Sequence, residues 1–299
     1  MRPPDNPVIA FLVGVLGIAL FSGMDAVMKG LVLAIGTLTT MFWRNLVGIG
    51  LSGFLYLPRR TGWPEPSTMR IHLARGILSS GMGFLFFWGI GRVPLAQAVA
   101  LAFIAPLIAL YLAAVMLHEK VGPRTIGASL VAFAGVVVIF VGQAKADLGR
   151  DALIGSFAIL ISASLYALNI IIMRRQAQVA DPLEITFFQS LIVTSILALT
   201  LPFAGIELPP LGQWPWLLLA AVLAIVSMLL LSWAYARAEA SYLASTEYTA
   251  FLWAALFGWL FFDEAVSPFT LAGAAMIVAG CVLAARRPQE ASPALEAAT

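Results

Sequence analysis

Long apolar runs separated by short polar breaks are the main pattern of this chain. The breaks contain charged residues, prolines and glycines. They lie around residues 29–36, 58–70, 91–94, 118–123, 143–151, 174–182, 205–213, 237–241 and 263–268. Each apolar segment between them is close to the ~17–25 residues that a helix needs to cross a bilayer. None alternates with the period of two that a membrane barrel requires. The pattern predicts an all-α integral membrane protein with ten transmembrane helices.

Composition agrees with this prediction. Of the 299 residues, 61% are hydrophobic and only 11% are charged, whereas an average soluble domain is about 25% charged. The first apolar segment continues past the length of a secretory signal and has no small-x-small cleavage site, which favours a retained helix. A net charge of +2 without a basic run argues against a nucleic-acid partner. The single cysteine, Cys281, cannot form an intrachain disulfide.

An internal repeat divides the chain into two halves. A gapless shift of 145 residues aligns Arg92 with Arg237, Leu107 with Leu252, Glu119 with Glu264, Val121 with Val266, Pro123 with Pro268, Thr125 with Thr270, and Gly135 with Gly280. We therefore expect two five-helix repeats, residues 1–145 and 146–287, followed by a short disordered cytoplasmic tail, 288–299. An odd number of spans gives the two copies opposite orientations in the membrane. Inverted repeats of this kind are typical of alternating-access carriers.

The distribution of positive charge predicts the orientation. The segments on the N-terminal side carry most lysines and arginines, including Arg59, Arg60, Arg70 and Arg75. Cytoplasmic loops retain positive charge during insertion, so this side is expected to be the cytoplasmic one. The breaks on the other side carry Lys29, Arg92, Lys145 and Arg150. We expect a multi-pass protein of a bacterial inner membrane with both termini in the cytoplasm.

The run APLIALYLAAVMLHEKVGPRTIGASLVAFAGVVV, residues 105–138, resembles the EamA domain of the drug/metabolite transporter superfamily. The residues that carry the resemblance are Pro106, Glu119, Gly135, Glu264, Gly280 and, in the second segment, Arg44. The second half departs from it, with Phe251 in place of Pro106 and Gln189 in place of Arg44. The resemblance covers almost the whole chain and implies export of small solutes such as amino acids, sugars, purines or drugs. Within the superfamily, the YddG-type amino-acid exporters are the expected relatives.

Two charged turns occupy equivalent positions in the repeats. Glu119 and Glu264 are each followed four residues later by a proline, Pro123 or Pro268. Proline is tolerated in the first turn of a helix, and an acidic group ahead of it favours the positive end of the helix dipole. We expect a structural role for these turns. Pro106, inside the fourth segment, predicts a bend that serves either as a hinge or as a simple kink.

Several charged residues lie inside apolar segments. Asp25 and Lys29 have the i,i+4 spacing of a helical ion pair, and Arg44 is deep enough in its segment to require a partner or a cavity. An Asp25–Arg44 pair is either structural or part of a gate or substrate-carboxylate site. Glu247 is the candidate for a protonatable coupling group, although it could also extend to the inner interface.

Uncharged polar and aromatic side chains are candidates for a central substrate cavity. Part of the set forms one face of the ninth segment at 100° per residue. Such side chains suit a zwitterionic solute, but serine and threonine also pair helices with one another in membranes. The candidates are Ser79, Met82, Phe86, Trp88, Gln97, Tyr166, Asn169, Ser232, Tyr242, Ser245, Thr246, Thr249 and Trp253.

The remaining function classes find little support in the sequence. Only His72 and His118 are present, without the H-E-x-x-H pair of an intramembrane metalloprotease, and no Walker A motif indicates ATP hydrolysis. We expect a carrier without cofactor or metal, monomeric or homodimeric, whose partners are a small-molecule substrate and the lipid bilayer. Amino acids, including apolar and aromatic ones, are the expected substrates. A sugar, purine or drug carrier, a channel and a non-transport scaffold remain the alternatives.

Overall fold

The computed structural model describes residues 7–60, 62–116, 123–145, 149–237, 243 and 246–285. Within these ranges the regular structure is helical. The helices are α1 (Pro7–Ile35), α2 (Thr37–Tyr56), α3 (Pro66–Ile90), α4 (Leu95–Ala102), α5 (Ala105–Met116), α6 (Pro123–Lys145), α7 (Gly149–Gln176), α8 (Pro182–Ala198), α9 (Leu201–Ala204), α10 (Trp214–Tyr235), α11 (Thr249–Phe262) and α12 (Pro268–Ala285), with a 3-10 turn at Leu211–Gln213.

Many of these helices have the length or composition of membrane segments. Five are long and apolar enough to cross a bilayer: α1, α3, α6, α7, and α10 with the turn before it. Shorter apolar helices run through α8, α11 and α12 and from Leu95 to Ala109. Large apolar side chains such as Phe54 and Phe203 are highly exposed on the outside, as a lipid-facing surface requires. The fold is a helical membrane bundle.

Four helix pairs form the main contacts of the bundle: α1 with α10, α3 with α7, α2 with α8, and α6 with α12. α11 packs on α1 and α4. The α6–α12 pair is especially close, because a Cβ atom added to Gly135 would lie 2.6 Å from the carbonyl oxygen of Gly273. Only glycine permits this approach of two backbones.

Two faces of the bundle can be defined from the helix ends. Tyr56 at the end of α2, His72 early in α3, Gln176 at the end of α7 and Glu184 at the start of α8 lie together. We call this the N-terminal face, because α1 also begins there: only Gly36, with φ of 79°, separates α1 from α2. The other end is the opposite face.

Two breaks differ in detail from the sequence-based prediction. The break predicted at 29–36 shrinks to Gly36, because α1 continues to Ile35 and buries Lys29 inside the bundle. The sequence-based orientation placed Lys29 in a loop, and the structure places it inside a helix instead. The fourth predicted segment is divided into α4 and α5, with the interruption directly before Ala105 and Pro106. Glu119, Tyr242 and Ser245 lie outside the described residues.

Candidate transport site

A buried ion pair joins three parts of the bundle at the opposite face. The Lys29 ammonium contacts the Glu264 carboxylate and donates a second hydrogen bond, of 2.7 Å, to the carbonyl oxygen of Val93. The other carboxylate oxygen of Glu264 accepts from the backbone N–H of Leu95 at 2.7 Å. Glu264 thereby caps the N-terminus of α4, where an anion is stabilised by the helix dipole.

A tight turn places Glu264 in this position. α11 ends at Phe262 and is followed by Asp263, which has a left-handed backbone (φ 53°). The N–H of Glu264 then bonds to the carbonyl of Gly258. A left-handed residue directly after the last helical turn is a common way for a helix to end. The turn residue predicted to be structural is thus also the partner of Lys29. The i,i+4 partner suggested by the sequence, Asp25, does not form that ion pair.

Asp25 and Arg44 lie near each other deeper in the bundle. Arg44 is the charged group that acts on Asp25 electrostatically, but no direct hydrogen bond joins them. The Arg44 Nη1 lies 3.4 Å from the side-chain oxygen of Asn45. Within the described residues the Asp25 Oδ1 and the Arg44 Nε have no hydrogen-bond partner. Two buried, incompletely satisfied charges at this depth mark a polar region in the interior of the bundle.

A second polar network extends inward from the N-terminal face. Arg75, ten residues into α3 and so about 13 Å along it at ~1.5 Å per residue, donates to the side-chain oxygens of Asn169 (3.3 Å) and Gln176. Ser79, one turn further on, has its hydroxyl 3.5 Å from the same Asn169 oxygen. Ser79 and Asn169, both predicted to line a cavity, therefore meet at the α3–α7 contact.

Tyr166 lies near two groups of opposite charge. Arg75 and Glu247 both act electrostatically on its hydroxyl. Glu247 accepts a hydrogen bond of 2.9 Å from Tyr235 at the end of α10. A cation from α3 and an anion ahead of α11 thus both interact electrostatically with a hydroxyl from α7.

Several other candidate cavity residues are engaged in helix packing. Gln97 is buried and donates to Ser156 of α7 at 3.2 Å. The Thr246 and Thr249 hydroxyls donate to carbonyls one turn back in their own segment. Hydroxyls satisfied in this way are typical of structural residues in membrane helices.

The remaining candidates are aromatic or lie near α3. Trp88 stacks under the Arg92 guanidinium at 3.5 Å, and Phe86 packs against the core around α4. The carbonyl of Met82 accepts from Ser162 at 2.8 Å, while Ser232 is half-buried in α10. Trp253 keeps a buried indole N–H without a partner among the described residues, so it can donate to a ligand.

Sequence reasoning missed the network around Arg75. It counted Arg75, like Arg70, only among the positive charges of the cytoplasmic side. The missed signal was distance from the helix start: α3 begins at Pro66, which places Arg75 in the third turn. His72, Gln176 and Glu184, which complete this network, carried no pattern that set them apart.

The sequence model of the EamA-like transporter family matches residues 8–141 and again residues 153–286. The chain belongs to this family and is a multi-pass membrane transporter of the drug/metabolite superfamily. Its relatives include the pseudopaline exporter CntI of Pseudomonas aeruginosa, 27% identical over 278 residues, covering 92% of this chain and 95% of the relative. A riboflavin transporter of Rhizobium johnstonii is 28% identical over 290 residues, covering 95% and 93%.

A solved crystal structure has the same fold. It superposes with a TM-score of 0.62 over 94% of this chain and 98% of the other, at 21% sequence identity. This likeness concerns the fold. The family match and the named relatives make the chain a transporter of small metabolites. The two named relatives carry different solutes, so membership alone does not choose the substrate.

Proposed function

We propose that this protein is an alternating-access carrier that exports a small zwitterionic metabolite of the amino-acid class. The observation that carries the proposal is that Arg75 and Glu247, two groups of opposite charge, both act electrostatically on the Tyr166 hydroxyl. A solute with a carboxylate and an ammonium group can pair with both at once. Outward direction is supported by the relative named as an exporter.

The proposed architecture is ten spans in two inverted five-helix repeats, 1–145 and 146–287. The helix contacts support it. If each helix is replaced by its counterpart in the other half, the α1–α10 contact becomes the α7–α3 contact. The same replacement leaves the α2–α8 and α6–α12 contacts unchanged, because each joins two counterparts. A local detail also recurs at the 145-residue shift. Arg92 stacks on Trp88 at 3.5 Å, and Arg237 stacks on Trp233 at 4.1 Å.

Gating in this proposal involves the opposite face. The Lys29–Glu264 pair ties α1 to the start of α4 and to the turn before α12, which closes that end of the bundle. The N-terminal face, which carries Arg59, Arg60 and Arg70, is then the cytoplasmic one. Substrate reaches Arg75 from there, and release outward requires the Lys29–Glu264 pair to open.

The test is uptake of labelled compounds into liposomes that contain the purified protein. The panel holds amino acids such as L-phenylalanine, together with riboflavin, a sugar and a purine. We expect saturable amino-acid uptake that Arg75→Gln and Glu247→Gln each reduce at least about tenfold, the effect of losing one charge-assisted hydrogen bond. Saturable uptake of riboflavin, sugar or purine without amino-acid uptake would support a carrier function but refute the zwitterionic substrate. Linear, uncompeted flux would indicate a channel.

A further inference from the structure

A buried chain of hydrogen bonds connects Arg75 to the N-terminal face through a histidine. The Gln176 side chain accepts from Arg75 with its oxygen, and its nitrogen lies 2.7 Å from Nδ1 of His72. The Nε2 of His72 lies 3.0 Å from the Glu184 carboxylate. The His72 ring is fully buried and stacks on Phe188 with ring centres 4.8 Å apart.

The chemistry of the donors fixes the proton on this histidine. Arg75 can only donate, so the Gln176 atom that meets it must be the amide oxygen. The Gln176 nitrogen, which is a donor, then faces His72, so Nδ1 must carry a lone pair. The proton of the neutral ring is therefore on Nε2, where it is donated to Glu184.

Two neighbours set the hydrogen bonds of His72. The Glu184 carboxylate accepts from Nε2, while Gln176, held by Arg75, needs a lone pair on Nδ1. Other titratable groups around this site are Tyr56 of α2, 3.3 Å from the second Glu184 oxygen, and Asp181 and Arg60, which act on Tyr56. A proton on Nδ1 would leave the Glu184 contact in place but would be incompatible with the present orientation of Gln176.

Water has access to one end of the chain. A cleft of about 480 Å³ at the N-terminal face is lined by residues 62–65, 67, 68 and 179 and by Glu184. Glu65, at the start of α3, is the other carboxylate in this lining. The Glu184 side chain remains 17% accessible, whereas the His72 ring is completely enclosed behind it.

We infer that His72 is a proton-controlled switch in this carrier, and that a proton on His72 sets the position of Arg75 through Gln176. The inference rests on the proposed function, in which Arg75 binds the substrate carboxylate. With neutral His72, Gln176 and Asn169 hold Arg75 in place for substrate. When hydronium gives a proton to Nδ1, one O–H bond of hydronium breaks, an N–H bond forms and a water molecule remains, so Nδ1 becomes a donor. Gln176 must then turn its oxygen towards His72, which presents its NH₂ group to Arg75 and breaks their contact.

The direction of coupling follows from this geometry. Substrate that binds from the N-terminal face stabilises Arg75 in its contact with Gln176. That contact requires neutral His72, so substrate binding favours loss of the His72 proton. Proton uptake loosens Arg75 and lowers its affinity for a carboxylate. Substrate binding to Arg75 and protonation of His72 therefore oppose each other, and by linkage each weakens the other to the same degree.

The first test is NMR of the protein labelled with ¹⁵N-histidine. The chain has two histidines, so His118→Gln leaves His72 as the single signal. We expect a neutral ring protonated on Nε2 near pH 8, and a proton on Nδ1 in that neutral ring would overturn the inference.

A second measurement uses the same signal and needs no substrate. In the Arg75→Gln background Gln176 is free to turn, so the doubly protonated ring should appear at a higher pH than in the His118→Gln protein. Arg75→Lys is the control, because it keeps a cation that only donates and should leave the titration unchanged. Identical titrations in all three proteins would refute the link between His72 and Arg75.

The third measurement is L-phenylalanine uptake by proteoliposomes between about pH 6 and pH 8, where histidine side chains change charge. We expect acid to raise the apparent KM several-fold in the His118→Gln protein and not in His72→Gln, which keeps a donor towards Glu184 but cannot titrate. The same KM rise in His72→Gln would overturn the coupling. If L-phenylalanine is not carried while the NMR results hold, the substrate proposal fails and the His72–Arg75 link stands.

Discussion

The Lys29–Glu264 pair allows a quantitative test of what holds the opposite face together. Lys29 has a side-chain exposure of 4% and Glu264 of 18%, so the pair is mostly buried. Glu264→Gln keeps an oxygen for the Leu95 N–H but leaves the Lys29 ammonium buried without its counter-charge. Breaking a fully buried pair in this way costs about 3–5 kcal/mol, and the partial exposure of Glu264 reduces our expectation to about 2–3 kcal/mol.

The assay is reversible unfolding by titration with SDS in mixed micelles, applied to Lys29→Met, Glu264→Gln and the double variant. The double variant contains no unpaired buried charge, so it should be at least about 1 kcal/mol more stable than the sum of the single losses predicts. Asp263→Asn is the matched control: it removes a charge from the same exposed turn, and asparagine tolerates the left-handed backbone found there. Additive losses within about 0.5 kcal/mol would refute the reasoning.

Three further predictions concern other parts of the bundle. Gly273→Ala should cost about 2–3 kcal/mol in the same SDS titration, because its Cβ would lie 2.5 Å from a backbone oxygen of α6. Gly127→Ala on α6 meets open space and should cause no loss. If the Asp25–Arg44 interaction is structural, Arg44→Gln should lower the folded yield and Asp25→Asn should restore it in the double variant; a normal yield with abolished transport would assign the pair to gating. Tyr166→Phe keeps the ring and removes one hydroxyl, so the initial uptake rate of the transported compound should fall about tenfold, and an unchanged rate would exclude contact with substrate.

The positions of the helices could be predicted largely from the sequence, because breaks and spans follow from where polar groups can leave the hydrocarbon. Lys29 shows the limit of this reasoning. A charge normally indicates a helix end in such a chain, but here Glu264 and the Val93 carbonyl satisfy it, so α1 continues for another turn and a half. The partner is 235 positions away, and no local pattern reveals it.

The candidate site was predictable only in part for the same reason. Asn169 and Tyr166 could be selected because each is a polar residue within an apolar segment, where polar side chains are costly unless they have a partner or face a cavity. Gln97 met the same criterion, yet it serves the α4–α7 contact through Ser156. Whether a polar side chain faces a cavity or a neighbouring helix depends on helix rotation, which an almost uniformly apolar sequence does not determine.

The close α6–α12 contact through Gly135 and Gly273 has a consequence for the balance between access states. Under the proposed exchange of halves this contact returns to itself, so its geometry is the same whichever face is open. A change with equal free energy in two states cannot shift the equilibrium between them. Substitutions along this seam should therefore change how much protein is folded while leaving the ratio of inward-open to outward-open molecules as it was. The Lys29–Glu264 pair, which forms on one face only, is where that ratio can be altered.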